Sequence, residues 1–120
     1  MNMLKFLLSF ILLLNFAYAQ KDKAEALRLW QKRDDAKSLQ EALNKFEQLH
    51  KQAPDDIEIL SYLTRGYFIV GDSHTEGKEQ KMAIFEKAKN FGEVALNTNA
   101  DYKALTKKDM PKAISKLTER

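Results

Sequence analysis

The chain has 120 residues, 44% hydrophobic and 31% charged, with a net charge of +3 and no cysteine. That length predicts one small domain with a modest core, and the missing cysteine excludes disulfide staples, thiolate chemistry and cysteine-based metal sites. Basic and acidic residues alternate instead of forming blocks, as in Lys21-Asp22-Lys23 and Lys107-Lys108-Asp109, so no nucleic-acid footprint is present.

The chain opens with Lys5, an apolar run from Phe6 to Phe16 broken by Ser9 and Asn15, and then Ala17-Tyr18-Ala19. A basic start, a short apolar stretch and small residues at the two positions a signal peptidase reads predict a Sec-type signal peptide over residues 1–19, cleaved after Ala19. The run is well short of the about 20 residues that a spanning helix needs. Membrane attachment would therefore follow only if the leader were retained. No cysteine follows the run, so lipoprotein processing is not expected. Export without disulfides fits the periplasm of a Gram-negative cell.

Residues 20–120 read as an all-α domain of four to five helices. Ala26, Leu27 and Trp30 share one face of a helix running from Ala24 to near Arg33, and Arg33-Asp34-Asp35 reads as a polar turn. Ser38 with Glu41 three residues on has the spacing of a capping box. The helix behind it carries Leu39, Ala42, Leu43, Phe46, Leu49 and Ala53 as one apolar stripe. Pro54 ends it by disfavouring the α-region at the preceding residue.

Asp55-Asp56 places acidic groups at the favourable end of a third helix. From Ile57 to Val70 two stripes run side by side: Leu60, Leu63, Tyr67 and Val70, and Ile59, Tyr62, Gly66 and Ile69. A helix apolar on two faces is buried on two faces, and Phe68 adds to that load. Gly71-Asp72 predicts a turn, followed by a polar insert to about Glu79. A fourth helix runs from about Gln80 to Leu96 with Ile84, Phe85, Ala88, Phe91, Gly92, Ala95 and Leu96 on a wide stripe, ending before Asn97-Thr-Asn-Ala-Asp101. Asp109 can cap a last segment with Met110, Ala113, Ile114 and Leu117 on one face.

These helices phase as a tetratricopeptide-like array of antiparallel pairs. Counting Pro54 as position 32 of a 34-residue unit puts Ala42 at 20 and Phe46 at 24, where the repeat favours alanine and an aromatic. A second unit from Ile57 puts Leu60, Leu63 and Tyr67 at 4, 7 and 11. Bringing Ala88 to position 20 and Ala95 to 27 requires about 12 extra residues between the paired helices. The other reading of the same pattern is a plain four-helix bundle. Solenoids of this kind usually need about three units, so two units and a stub predict either a truncated array or one completed by self-association.

No nucleophile motif, phosphate loop or zinc signature is present, which points to binding over catalysis; no cofactor and no metal are expected. His50 has no partner ligand at helical spacing, and Asp72, His74 and Glu76 read as a solvated loop before a cation site. Tyr62, Tyr67 and Phe68 are candidates to line an apolar groove, with core packing as the alternative. Arg65, between the two stripes, is a candidate anchor for a carboxylate on a ligand or partner; an ion pair with a nearby acid is the alternative. Gly66 and Gly92, both mid-helix, cost about 1 kcal/mol each against alanine, which close helix approach explains.

Gly66-Tyr-Phe-Ile-Val-Gly-Asp72, the polar insert and Phe85-Glu-Lys-Ala-Lys-Asn-Phe-Gly-Glu-Val-Ala-Leu96 together resemble the T component associated with tripartite ATP-independent periplasmic (TRAP) transporters. The resemblance spans roughly residues 36–100, and its most specific part is Phe85, Phe91, Gly92, Ala95 and Leu96 at their mutual spacing. Members of that family are degenerate tetratricopeptide proteins, often lipoproteins, and typically more than twice this length. Asp109-Met-Pro111 matches an Asp-x-Pro of the family, but the following Lys112–Leu117 lacks its aromatics. The resemblance implies a periplasmic adaptor that interacts with the substrate-binding protein of a TRAP system. The alternatives are a general periplasmic repeat scaffold in envelope assembly and a direct carrier of a small apolar or acidic ligand.

Overall fold

The computed structural model describes residues 2–99, with the backbone alone described for Asn2, Leu12, Asn15 and Phe16. The described residues form four α-helices and no strand: α1 (Asn2–Trp30), α2 (Ala36–Gln52), α3 (Ile57–Ser73) and α4 (Lys78–Thr98). The segment with Met110, Ala113, Ile114 and Leu117, and the Asp109-Met-Pro111 motif, lie outside the described residues.

The order of the helices is that of two stacked antiparallel pairs. Glu25 of α1 meets Lys45 of α2 at 3.5 Å. Tyr67 of α3 stacks on Phe91 of α4 at 5.7 Å. Between the pairs, Lys23 meets Glu58 at 3.1 Å and Trp30 meets Tyr62 at 5.0 Å, so α1 and α3 run parallel. Glu47–Lys87 at 3.2 Å and His50–Phe91 at 5.9 Å show the same for α2 and α4. This alternation is the tetratricopeptide arrangement the phasing through Pro54 predicts.

The core is built from the stripes in the sequence. Leu39, Leu43, Phe46, Leu60 and Leu63 are fully buried, each worth roughly 1.5–3 kcal/mol of removal from water. Ala42 is also fully buried, and Ala88 holds the matching place in α4. Gly66 has no room for a side chain: a Cβ there would overlap Leu43 and come within 3.1 Å of Trp30. The expected close approach at Gly66 is therefore present. A Cβ on Gly92 would meet Thr64 of α3 at 3.3 Å, a tight but softer contact.

Helix ends depart from expectation in three places. The first helix does not begin at Ala24; it runs unbroken from Asn2 through Ala19 and stops at Trp30. Ser38 is not the cap of α2. Asp35 is, accepting from the Ser38 backbone N–H at 2.9 Å and its hydroxyl at 2.8 Å. Those two donors, the backbone one foremost, hold the Asp35 carboxyl below its ordinary value. An ionised acid beside free N–H groups outcompetes a neutral hydroxyl, so the helix starts at Ala36, before Ser38. Gly71-Asp72 is not a turn. α3 continues through both to Ser73, because Gly71 lets Phe85 lie where a Cβ would come within 2.7 Å of its ring. The insert thus shrinks to residues 74–77, closed by Gly77 at φ +89°, and the extra length is spent on long helices, 17 residues in α3 and 21 in α4. As expected, Asp56 caps α3 through the N–H groups of Glu58 and Ile59, and α2 ends at Gln52, just ahead of the exposed Pro54.

Candidate functional site

Trp30 is the point where the two pairs are joined. It is 4% exposed, with Tyr62 edge-on at 5.0 Å and Phe46 edge-on at 6.3 Å. Tyr62 and Phe46 stack on each other at 4.8 Å with their rings 4° from parallel. Two guanidinium groups complete the surround. Arg33, from the turn after α1, sits 5.3 Å from the indole centre, and Arg65, from α3, sits 5.4 Å from it. Arg33 also donates to the Trp30 carbonyl at 3.3 Å, and its own carbonyl lies 3.2 Å from His74 Nε2.

Neither arginine is ion-paired among the described residues. Among the described residues Arg65 has no ion pair with a neighbouring acid, the alternative to a binding role. Each cation is held over an aromatic face, an attraction of about 0.5–1 kcal/mol at exposed sites; Arg33 spends one N–H on the Trp30 carbonyl, and its others and those of Arg65 have no acceptor among the described residues. A guanidinium fork suits a carboxylate or phosphate in bidentate geometry.

The four residues singled out from the sequence do not converge. Tyr62 lies inside the Trp30 cluster. Tyr67 is buried between α2 and α4, stacked on Phe91 with Lys87 Nζ 4.4 Å from its ring centre. Burial, ahead of its polar neighbours, pushes the Tyr67 hydroxyl above its ordinary value. Burial also opposes the Lys87 charge, but hydrogen bonding to Tyr67 and Glu47 outweighs it and raises Lys87. Phe68, counted on the sequence as part of the buried load, is 56% exposed and lies against Phe85 at 5.4 Å. Only Arg65 and Tyr62 share a surround, through Trp30. Of the framework residues, Ala42 and Phe46 are buried, Phe91, Gly92 and Ala95 are half-buried, and Pro54 is exposed.

Sequence reasoning passed over Arg33 and placed Trp30 only as a core residue. The signal was there in part: Trp30 and Arg33 stand three apart at a helix end. What it lacked was any reason to connect them with Arg65. A separate groove of about 390 Å³ lies between α1 and the α2–α3 turn, bordered by Ala19, Lys23, Leu49, Asp56 and Ile59. None of the aromatic candidates lines it. His50 turns its ring toward Phe91, and its Nδ1 is buried without a hydrogen bond among the described residues. The Asp72, His74 and Glu76 triplet forms no metal-holding group, and no such group occurs among the described residues. No helix among them is long and apolar enough to cross a membrane.

No protein-family model, curated protein or solved structure matches the chain.

Proposed function

We propose that the chain is a helical-repeat binding protein that takes an anionic group of its partner on the Arg33–Trp30–Arg65 cluster. The observation that carries this reading is the pair of guanidinium groups at 5.3 and 5.4 Å from one buried indole, with no acid paired to either among the described residues. Packing alone would be as well served by one arginine, and a neighbouring acid would have neutralised a merely structural charge. The setting is rigid: Trp30 is locked by Phe46 and Tyr62, so a bound carboxylate meets a fixed fork.

The wider role follows the resemblance in the sequence. The chain acts in the periplasm, exported by its leader, as an adaptor beside a TRAP-type solute transporter. Its partner is the periplasmic substrate-binding protein, engaged through an acidic surface segment. Binding and not catalysis is the mode of action. A second reading, a direct carrier of a small acid, draws on the groove of about 390 Å³ beside Lys23.

Trp30 is the sole tryptophan in the chain, which makes the site its own reporter. Titrating the protein with a Glu- and Asp-rich peptide should give a saturable change in indole emission, weakened by salt. Arg65→Ala and Arg33→Ala should each weaken it, and both together should abolish it. A titration indifferent to both substitutions would overturn the site. A small dicarboxylate that saturates the signal where the peptide does not would favour the carrier reading.

A further inference from the structure

We propose that His74 is a positioning residue for the anion site: its ring pins the Arg33 backbone, and with it the Arg33 guanidinium, to the second helix pair. The inference rests on the binding role proposed for Arg33 and Arg65.

Arg33 lies outside any helix, in the turn between α1 and α2. Its backbone N–H donates to the Trp30 carbonyl at 3.1 Å, and its guanidinium donates to the same oxygen at 3.3 Å. Nothing within the turn holds the Arg33 carbonyl. Among the described residues the one donor that reaches it is His74 Nε2, at 3.2 Å and 41 residues further on. A carbonyl oxygen only accepts, so Nε2 carries the ring proton. Both residues are half-buried. An Arg33 carbonyl deprived of this donor must turn toward water to find another.

His74 is itself held firmly. It closes α3, its N–H donating to the Val70 carbonyl at 3.1 Å, and the Thr75 hydroxyl donates to that oxygen at 2.7 Å. The helix reaches His74 only because it runs on through Gly71, against the ring of Phe85. The same side chain stands near the start of α2. The Ser38 donors, backbone first, are the main reason that the Asp35 carboxyl lies low, and a charged His74 ring acts in the same direction. His74 therefore meets the first pair at the end of one helix and the cap of the next.

Arg65 belongs to the same helix, nine residues before His74, which is about 14 Å along its axis. One rigid element thus fixes both arms of the site, Arg65 by its own side chain and Arg33 through His74. A grip on one anionic group by two guanidiniums depends on their spacing being set in advance. Without the His74 donor, Arg33 is tethered at its N–H side alone, while Arg65 stays in place. The loss of affinity then falls on the share of binding that Arg33 supplies.

Titration of the full chain with a Glu- and Asp-rich peptide, followed by Trp30 emission, tests this. His74→Phe keeps a ring and removes the donor, and should weaken binding about two- to tenfold. His74→Gln offers an amide N–H at similar reach and should restore most of it. In an Arg33→Ala background His74→Phe should cost nothing further, whereas in an Arg65→Ala background it should cost its full amount. A further loss in the Arg33→Ala background would overturn the inference and leave the site standing. So would full affinity in His74→Phe where Arg33→Ala weakens binding. An Arg33→Ala chain that binds as well as the unaltered one would overturn both. In the unaltered chain, the imidazole nitrogen resonances should show neutral His74 protonated on Nε2; a proton on Nδ1 would overturn the inference even if His74→Phe failed to fold.

Discussion

At the residue scale, Gly66 and Trp30 decide how closely the two helix pairs can sit. A Cβ on Gly66 would strike the fully buried Leu43 side chain, which would have to shift within a filled core, and crowd Trp30. Gly66→Ala gains about 1 kcal/mol of helix propensity but overpacks a filled core at about 1–3 kcal/mol. A net fall in melting temperature is therefore expected, and a rise would show that the pairs have slack between them. Tyr67 sets the alkaline limit. Its folded pKa is raised above the ordinary 10.0, burial being the main cause. Its contribution is whole below that ordinary value and is lost as pH climbs through the raised one. Tyr67→Phe should flatten the alkaline fall in melting temperature, and a pH series on both proteins would reveal it.

At the element scale, the helices begin and end where charge and sterics dictate. Asp56 accepts from Glu58 N–H at 3.0 Å and Ile59 N–H at 3.3 Å. Asp56→Ala should cost about 1 kcal/mol, measurable by urea denaturation; no loss would mean that the short residue 53–55 turn holds the helix end unaided. Contact between α3 and α4 passes through Gly92, whose Cβ would meet Thr64 at 3.3 Å. Gly92→Leu should destabilise by about 1–3 kcal/mol through overpacking. An unchanged melting temperature would reject close approach at that point. Exposed ion pairs such as Lys89–Glu93 at 3.8 Å add little to these terms.

At the scale of the whole molecule, α1 has two characters in one helix. Its first part exposes Met3, Leu4, Phe6, Phe10 and Leu13, whereas Ala26, Leu29 and Trp30 are buried. The buried core therefore begins well after Ala19. A chain beginning at Gln20 should keep cooperative thermal unfolding and nearly the same helicity per residue. Collapse of the transition would show that the part of α1 before Gln20 belongs to the folding unit. Ala19 borders the groove beside Lys23, so removal of residues 1–19 would also open one wall of it.

The sequence by itself determined the all-α class, the four described helices to within a few residues at most ends, and the pairing through Pro54. It did so because each of those features is local: an apolar period, a capping acid, a proline. It also marked Arg65 and Gly66 as unusual for their places in a helix. Only the tertiary structure decided what they are unusual for. Arg33 and Arg65 are 32 positions apart, and no periodicity announces that both lie over one indole. Gly71 looked like a turn because glycine before aspartate commonly is one. In the folded chain the space its missing side chain leaves is taken by Phe85, and the helix runs on. Phe68 belonged by composition to the core, yet its face of α3 is the one that no described helix covers. Burial is a property of neighbours brought together by the fold, and a linear pattern can specify how many faces need covering but not which one is left open.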